Sequence, residues 1–174
     1  MVFYFTGTGN SLYIAKRIEQ HLISIPQALR EGSLNFTAER IGIVAPVYGH
    51  EVPAMVKDFL KKADFHTDYF YMILTYGSRH GGAAELAKQL CEDCGIAVSY
   101  INVILMVDNW LPNFDMEEEK RLDKNEEGQL AFILDDMKKQ KQMIAAVREK
   151  DRAAHREFLN RRNQMPSDLW QHLI

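Results

Sequence analysis

Long apolar runs are absent from this sequence. No stretch reaches the roughly 18 residues that a membrane-crossing helix needs, so no membrane role is expected. Cysteine is scarce: two among 174 residues exclude a disulfide framework and make a reducing compartment the default. A basic excess is missing too. With a formal charge of −3, the chain lacks the basic face on which nucleic-acid binding usually depends. No internal repeat or low-complexity tract interrupts it. The first strand runs into a glycine loop by Gly7, where a basic-then-apolar export signal does not fit, and the expected location is cytoplasmic. What remains is an ordinary globular composition, long enough for one core without metals or cross-links.

Residues 2–5 read as a short buried strand. The helix after it carries Leu12, Ala15, Ile18 and Leu22 at helical spacing, with Lys16, Arg17, Glu19 and Gln20 outward. Pro26 and Gly32 break the pattern, leaving a short, weakly marked second strand somewhere in 23–40. Residues 41–45 form a buried strand ended by Pro46. A helix over 51–63 follows, with Pro53 in its first turn and Val56, Phe59 and Leu60 inward. Residues 69–75 are a third strong strand, 83–94 a helix stopped by Gly95, and 98–107 the last strand. Such alternation predicts an α/β fold, a parallel sheet with helices on both faces.

Beyond a core of residues 1–115, the segment 116–174 reads as a helical extension, packed on that core or projecting from it. Over 116–162 one long helix or a bent pair is expected, with Leu130, Ile133, Leu134, Met137, Ile144 and Val147 as its apolar stripe. Its charges suit a solvated face; the competing reading is a dimer or partner surface. Leu169, Trp170 and Leu173 are expected to dock back on the domain.

In a doubly wound sheet, ligands bind beyond the carboxyl ends of the strands, near the point where strand order reverses. Several unusual segments leave strands at that edge. The first, Thr6-Gly7-Thr8-Gly9-Asn10-Ser11, sets hydroxyls, an amide and unhindered N–H groups at a helix start, where an anion binds. It contains no lysine or arginine, so the helix dipole and hydrogen bonds alone would balance the charge. A Walker loop would need Gly-Lys-Ser/Thr. A dinucleotide fingerprint would need glycine in the place of Leu12 and a well-placed acid after the second strand. Nucleoside triphosphates and NAD are therefore disfavoured. A plain helix cap is the bland alternative, though a cap uses only one such residue.

Residues 3–11 resemble the FMN phosphate loop of flavodoxins. They are most similar to the flavodoxin-like domain that anaerobes fuse to a two-cluster ferredoxin module. Pro46-Val47-Tyr48, the glycine-rich loop over 76–82 and Asp108-Asn109 continue the resemblance, which covers roughly residues 1–150. It implies a flavodoxin-like three-layer sandwich with a five-stranded parallel sheet, in the order 2-1-3-4-5, and a bound FMN. Thr6, Gly7, Thr8, Gly9, Asn10 and Ser11, with the Leu12 N–H, would hold the phosphate. Pro46, Val47, Tyr48 and Gly49 would border one side of the isoalloxazine, with Tyr48 stacking. Tyr76, Gly77, Ser78, Gly81 and Gly82 would run along the other side, where glycine lets a backbone N–H approach the ring.

The fused relatives carry a run of cysteines, whereas this chain has Cys91 and Cys94 only, and a cluster takes four thiolates. The resemblance therefore implies an iron–sulfur or flavin redox partner in trans. Cys91 and Cys94 flank two acids, which works against a thiolate, and core packing is the preferred reading for them. No metal-ligand spacing is present. His50 and His80 fall in the flavin-side loops, while His21, His66, His155 and His172 are expected at the surface. Arg79 and His80 would put positive charge near the reduced flavin, unless Arg79 merely caps a surface loop. The function implied is FMN-dependent electron transfer, with no side chain needed as acid, base or nucleophile. One alternative is a quinone- or FMN-type oxidoreductase with a substrate pocket at Trp110 and Phe114. Another is a non-redox interaction module with a structural anion, its C-terminal helix binding a partner or a second copy.

Overall fold

The computed structural model describes residues 1–108, 115–119 and 121–164. Its elements run β1 (Val2–Tyr4), α1 (Asn10–Ile18), β2 (Leu22–Ser24), α2 (Ile25–Glu31), β3 (Asn35–Thr37), β4 (Arg40–Pro46) and α3 (Ala54–Lys62). Then come β5 (Asp64–His66), β6 (Tyr69–Tyr76), α4 (Ala83–Asp93), β7 (Val98–Leu105), α5 (Met116–Glu119), α6 (Glu126–Lys138), β8 (Met143–Ile144) and α7 (Glu149–Gln164).

Strand alternation divides the apolar residues between two faces. Phe3, Ile43, Met72 and Ile101 point to the side covered by α2, α3 and α4, where Ile25, Phe59 and Ala87 meet them. Val2, Val44, Ile73 and Ile104 point to the other side, against Ile14 of α1 and Leu130, Ile133 and Met137 of α6. The α/β architecture with helices on both faces is thus present. Its strand count corrects the expected one. The sheet has six parallel strands in the order β2-β1-β4-β6-β7-β8, not five in the order 2-1-3-4-5. The chain adds strands on one side of β1, then on the other, so the order reverses between β1 and β4. A separate parallel pair, β3–β5, lies just ahead of the first residues of β4 and β6. There Phe36 and Phe65, with ring centroids 6.0 Å apart, join Phe3, Phe59 and Phe70 in one aromatic cluster.

Two further expectations change. The segment 23–40 holds a helix, α2, as well as strand residues. Pro26 sits in its first turn and Gly32, at φ 74°, caps its end, so these residues frame a helix and do not merely interrupt one. The C-terminal third is not one long helix or a bent pair. α6 ends at Lys138, Gln140 turns at φ 47°, and β8 pairs with β7 through Tyr100–Met143 and Ile101–Ile144. The stripe holds even so: Leu130, Ile133 and Met137 are buried, and burying each contributes about 1.5–3 kcal/mol. Val147 enters the opposite core. Among the described residues no helix is long and apolar enough to cross a membrane. Asn109, Trp110, Phe114, Leu169, Trp170, His172 and Leu173 lie outside the described residues.

Candidate functional site

All six parallel strands end at one carboxyl edge, and short contacts hold together the four segments that follow β1, β4, β6 and β7. The Asn10 side-chain amide donates to the Val107 carbonyl at 2.9 Å, tying the first to the fourth. The hydroxyls of Ser11 and Thr75 share a buried bond of 2.9 Å. The Val47 N–H donates to the Thr75 carbonyl at 2.8 Å. A methyl added at Gly7 would strike the Tyr48 hydroxyl, one at Gly81 the His50 ring, and one at Gly77 the Asp108 carboxyl. The second and third loops therefore touch through His50, and Tyr48 lies against the first.

Helix α1 begins without a side-chain cap. Its N-cap is Gly9, left-handed at φ 106° and ψ −23°, a conformation that favours glycine. The Gly9 N–H donates to Thr6 Oγ1 at 2.9 Å, and the first helical rung is Tyr13 N–H to the Gly9 carbonyl at 2.8 Å. Asn10, Ser11 and Leu12 come before that rung, so their N–H groups are the ones a helix leaves without intrahelical acceptors. Gly7, Thr8 and Gly9 are exposed, and among the described residues a methyl at Gly9 would meet nothing within 4 Å. The mouth of the loop is open, with the positive end of a nine-residue helix behind it. Ser11, by contrast, is buried, and its hydroxyl is turned to Thr75.

One turn further on, Arg17 is committed elsewhere. It forms a two-pronged pair with Glu127, at 2.8 and 2.9 Å, and also donates to the Tyr13 hydroxyl. The Arg17 guanidinium and then the Tyr13 hydroxyl hold the Glu127 carboxyl down to about 2.

The second loop closes through paired Tyr48–Glu51 backbone bonds of 2.8 and 3.1 Å, with Gly49 at φ 56° and His50 at φ 70° between them. Tyr48 stays 47% exposed while meeting Phe5 edge-on at 6.4 Å, so an aromatic face remains open to a ligand. In the third loop, Tyr76 meets His80 edge-on at 5.0 Å. Lys124 donates to the Gly77 carbonyl at 3.0 Å and pairs with Glu119 at 2.5 Å. Glu119 in turn accepts the Asp108 N–H at 3.0 Å. Lys124, and after it that N–H, hold the buried Glu119 carboxyl below the usual range.

Sequence reasoning missed α7 as part of this edge. Phe158 packs on Gly49 and lies 5.0 Å from the His50 ring, and His155 lies 5.6 Å from that ring. Arg152 clasps Glu85 of α4 with bonds of 2.9 and 2.5 Å. His155, expected at the surface, has its Nδ1 buried without a hydrogen-bond partner among the described residues, as do His50 and His80. Burial, then the neighbouring His155, Arg79 and His80, pushes His50 below the usual histidine range. Burial does the same to His80, against the pull of Asp151. Only an isolated aromatic among charges marks Phe158 in the sequence. Glu119 and Lys124 carry no signal at all within a charge-rich run.

The cysteines stand away from this edge. Cys91 is buried with its Sγ 3.5 Å from Met72 Sδ, and burial pushes its thiol up to about 12. Cys94 is free as well, its thiol also raised by burial. Among the described residues no group of three His, Cys, Asp or Glu is placed to hold a metal ion.

No family model and no curated protein matches the chain. Several solved structures are similar in fold. Two-electron reduced flavodoxin of Megasphaera elsdenii superposes with a TM-score of 0.46 at 19% identity, over 59% of this chain and 82% of that one. The Trp repressor binding protein of Bacillus subtilis gives 0.43 at 12%, over 60% and 83%. Rubredoxin oxygen:oxidoreductase from Desulfovibrio gigas gives 0.46 at 13%, over 77% of this chain and 35% of that one.

Proposed function

We propose that this chain binds FMN at the carboxyl edge of the sheet and serves as an electron-transfer flavoprotein. One observation carries the reading: an uncapped α1 N-terminus behind an open, hydroxyl-rich loop, beside the exposed ring of Tyr48. The motif resemblance over residues 3–11 supports it, as does the reversal of strand order between β1 and β4, which is where doubly wound folds bind ligands. Thr6, Thr8, Gly9 and the N–H groups of Asn10, Ser11 and Leu12 hold the phosphate. Hydrogen bonds to an anion are worth about 1.5–3 kcal/mol each, enough to replace a cationic side chain. Pro46, Val47, Tyr48 and Gly49 border one side of the ring, and Tyr76, Gly77, Ser78, Gly81 and Gly82 the other. The flavin supplies one- and two-electron chemistry; the chain supplies position, dryness and charge. Two cysteines do not make a four-thiolate cluster within these residues, and the partner proposed for the electrons is an iron–sulfur or flavin redox protein.

The absorption spectrum of the protein as purified, and again after FMN is added and excess removed, tests this. A retained yellow flavin that is inert toward NADH until a redox protein is supplied is the expected result. Rapid NADH oxidation by the protein alone would favour an oxidoreductase with its own substrate. A protein that stays colourless would favour a non-redox interaction module.

A further inference from the structure

Between the third loop and the start of α7 lies a cavity of about 310 Å3, at the small end of the range ligand sites occupy. Its lining includes Ser78, Arg79, His80, Arg148, Lys150 and Asp151. Three cationic side chains thus share one hollow with a single carboxylate, in a chain whose overall charge is negative. That carboxylate is already engaged, since Arg148 Nε donates to Asp151 at 2.9 Å. Arg79 and Lys150 have neither an ion pair nor a hydrogen bond among the described residues. His80 adds a buried Nδ1 that likewise lacks a partner. Three like charges gathered around one carboxylate still repel one another, and an anion between them lowers that cost.

We propose that this cavity binds an oxyanion, the phosphate group of a small molecule first among them, at a site separate from the α1 loop. Its donors come from two elements and include guanidinium, ammonium and hydroxyl groups. That mixture suits a tetrahedral dianion better than a planar carboxylate, which a single guanidinium fork satisfies. Tyr76 also lines the cavity, so a phosphate-bearing molecule there would lie beside the loop assigned above to the flavin. Anion binding itself does not depend on that assignment.

The test is a backbone-amide NMR titration of the whole chain with inorganic phosphate, with acetate and sodium chloride at matched ionic strength as controls, and then with AMP. Saturable shifts at Ser78, Arg79, His80 and Lys150 are expected with phosphate and not with chloride. AMP binding at least as tightly as phosphate would identify a phosphate-bearing small molecule as the source; tighter phosphate binding would identify the free ion. Arg79→Gln and Lys150→Gln should each weaken binding about tenfold, the loss of one charge-assisted contact. Arg79→Lys should retain part of it. Unaltered thermal midpoints would show that the variants fold. The proposal is overturned by shifts confined to residues 6–12, by chloride reproducing them, or by variants that bind phosphate as the parent does. Competition between FMN and phosphate for the cavity would also overturn it, by merging the two sites. If FMN fails to bind while phosphate still saturates the cavity, the flavin reading fails and this one stands.

Discussion

The two edges of the central sheet are built from opposite materials. At the amino edge, β3 and β5 bring Phe36 and Phe65 onto Phe3, Phe59 and Phe70, with ring centroids 4.5–6.0 Å apart. The backbone there is paired, as in the Ala38 N–H that reaches the His66 carbonyl at 3.1 Å. At the carboxyl edge the same strands open into glycines, hydroxyls and a helix end without a side-chain cap, and three imidazole nitrogens lack partners among the described residues. One edge holds apolar burial and the other holds unused hydrogen-bonding capacity. The contrast predicts that stability and affinity for the proposed ligand are separable, because different residues would supply them.

The strongest way to break that comparison is Phe59→Ala. Phe59 is fully buried at the amino edge, and truncation should cost about 3–5 kcal/mol in urea unfolding. FMN affinity of the folded fraction should stay within about twofold, well below the tenfold that 1.4 kcal/mol represents. A parallel fall in affinity would show that the edges are coupled. At the carboxyl edge, Gly9→Val forces a β-branched residue to φ 106° and should cost about 1–2 kcal/mol of stability. It should also lower FMN affinity more than tenfold, since the loop cannot keep its shape. Thr8→Ala sharpens the contrast. At this exposed site stability should move by less than about 0.5 kcal/mol. FMN affinity should nonetheless fall about tenfold in a flavin-fluorescence titration, as one hydrogen bond to the phosphate is lost.

The smallest effect is pH-dependent. His50 and His80 have folded-state values below the ordinary 6.5, so below that pH the unfolded chain takes up protons more readily than the folded one. Their contribution is intact above about pH 6.5 and is lost as pH falls through that value toward their lower folded ones. The thermal midpoint should drop modestly between pH 7.5 and 5.5, before the carboxylates titrate. The drop should shrink in a His50→Gln, His80→Gln double variant. An undiminished drop would mean these rings do not hold α7 on the loops.

The parts of the fold legible in the sequence are those with a clear pattern. The strands at β4, β6 and β7 announce themselves as apolar runs bounded by turn residues, and the helices α1, α3 and α4 through apolar spacing of three and four. β8 does not, because Met143 and Ile144 are too short a run to show alternation. α2 is hard to see because Pro26 and Gly32 resemble breakers, whereas proline in a first turn and glycine past a last turn frame a helix. The location of the candidate site follows from chain alternation alone, which puts every strand-to-helix loop at one edge. Side-chain direction within it does not. Nothing in the spacing says that the Ser11 hydroxyl turns inward to Thr75, or that Phe158 and His155 settle on the second loop, because those contacts join residues far apart in the chain.

The central claim is that the α1 loop grips a phosphate, and comparing FMN with riboflavin by fluorescence titration tests it most directly. The two differ only in that group. Several N–H and hydroxyl bonds to it should make FMN bind at least about 100-fold more tightly than riboflavin. Equal affinities, or no binding of either flavin, would contradict the account.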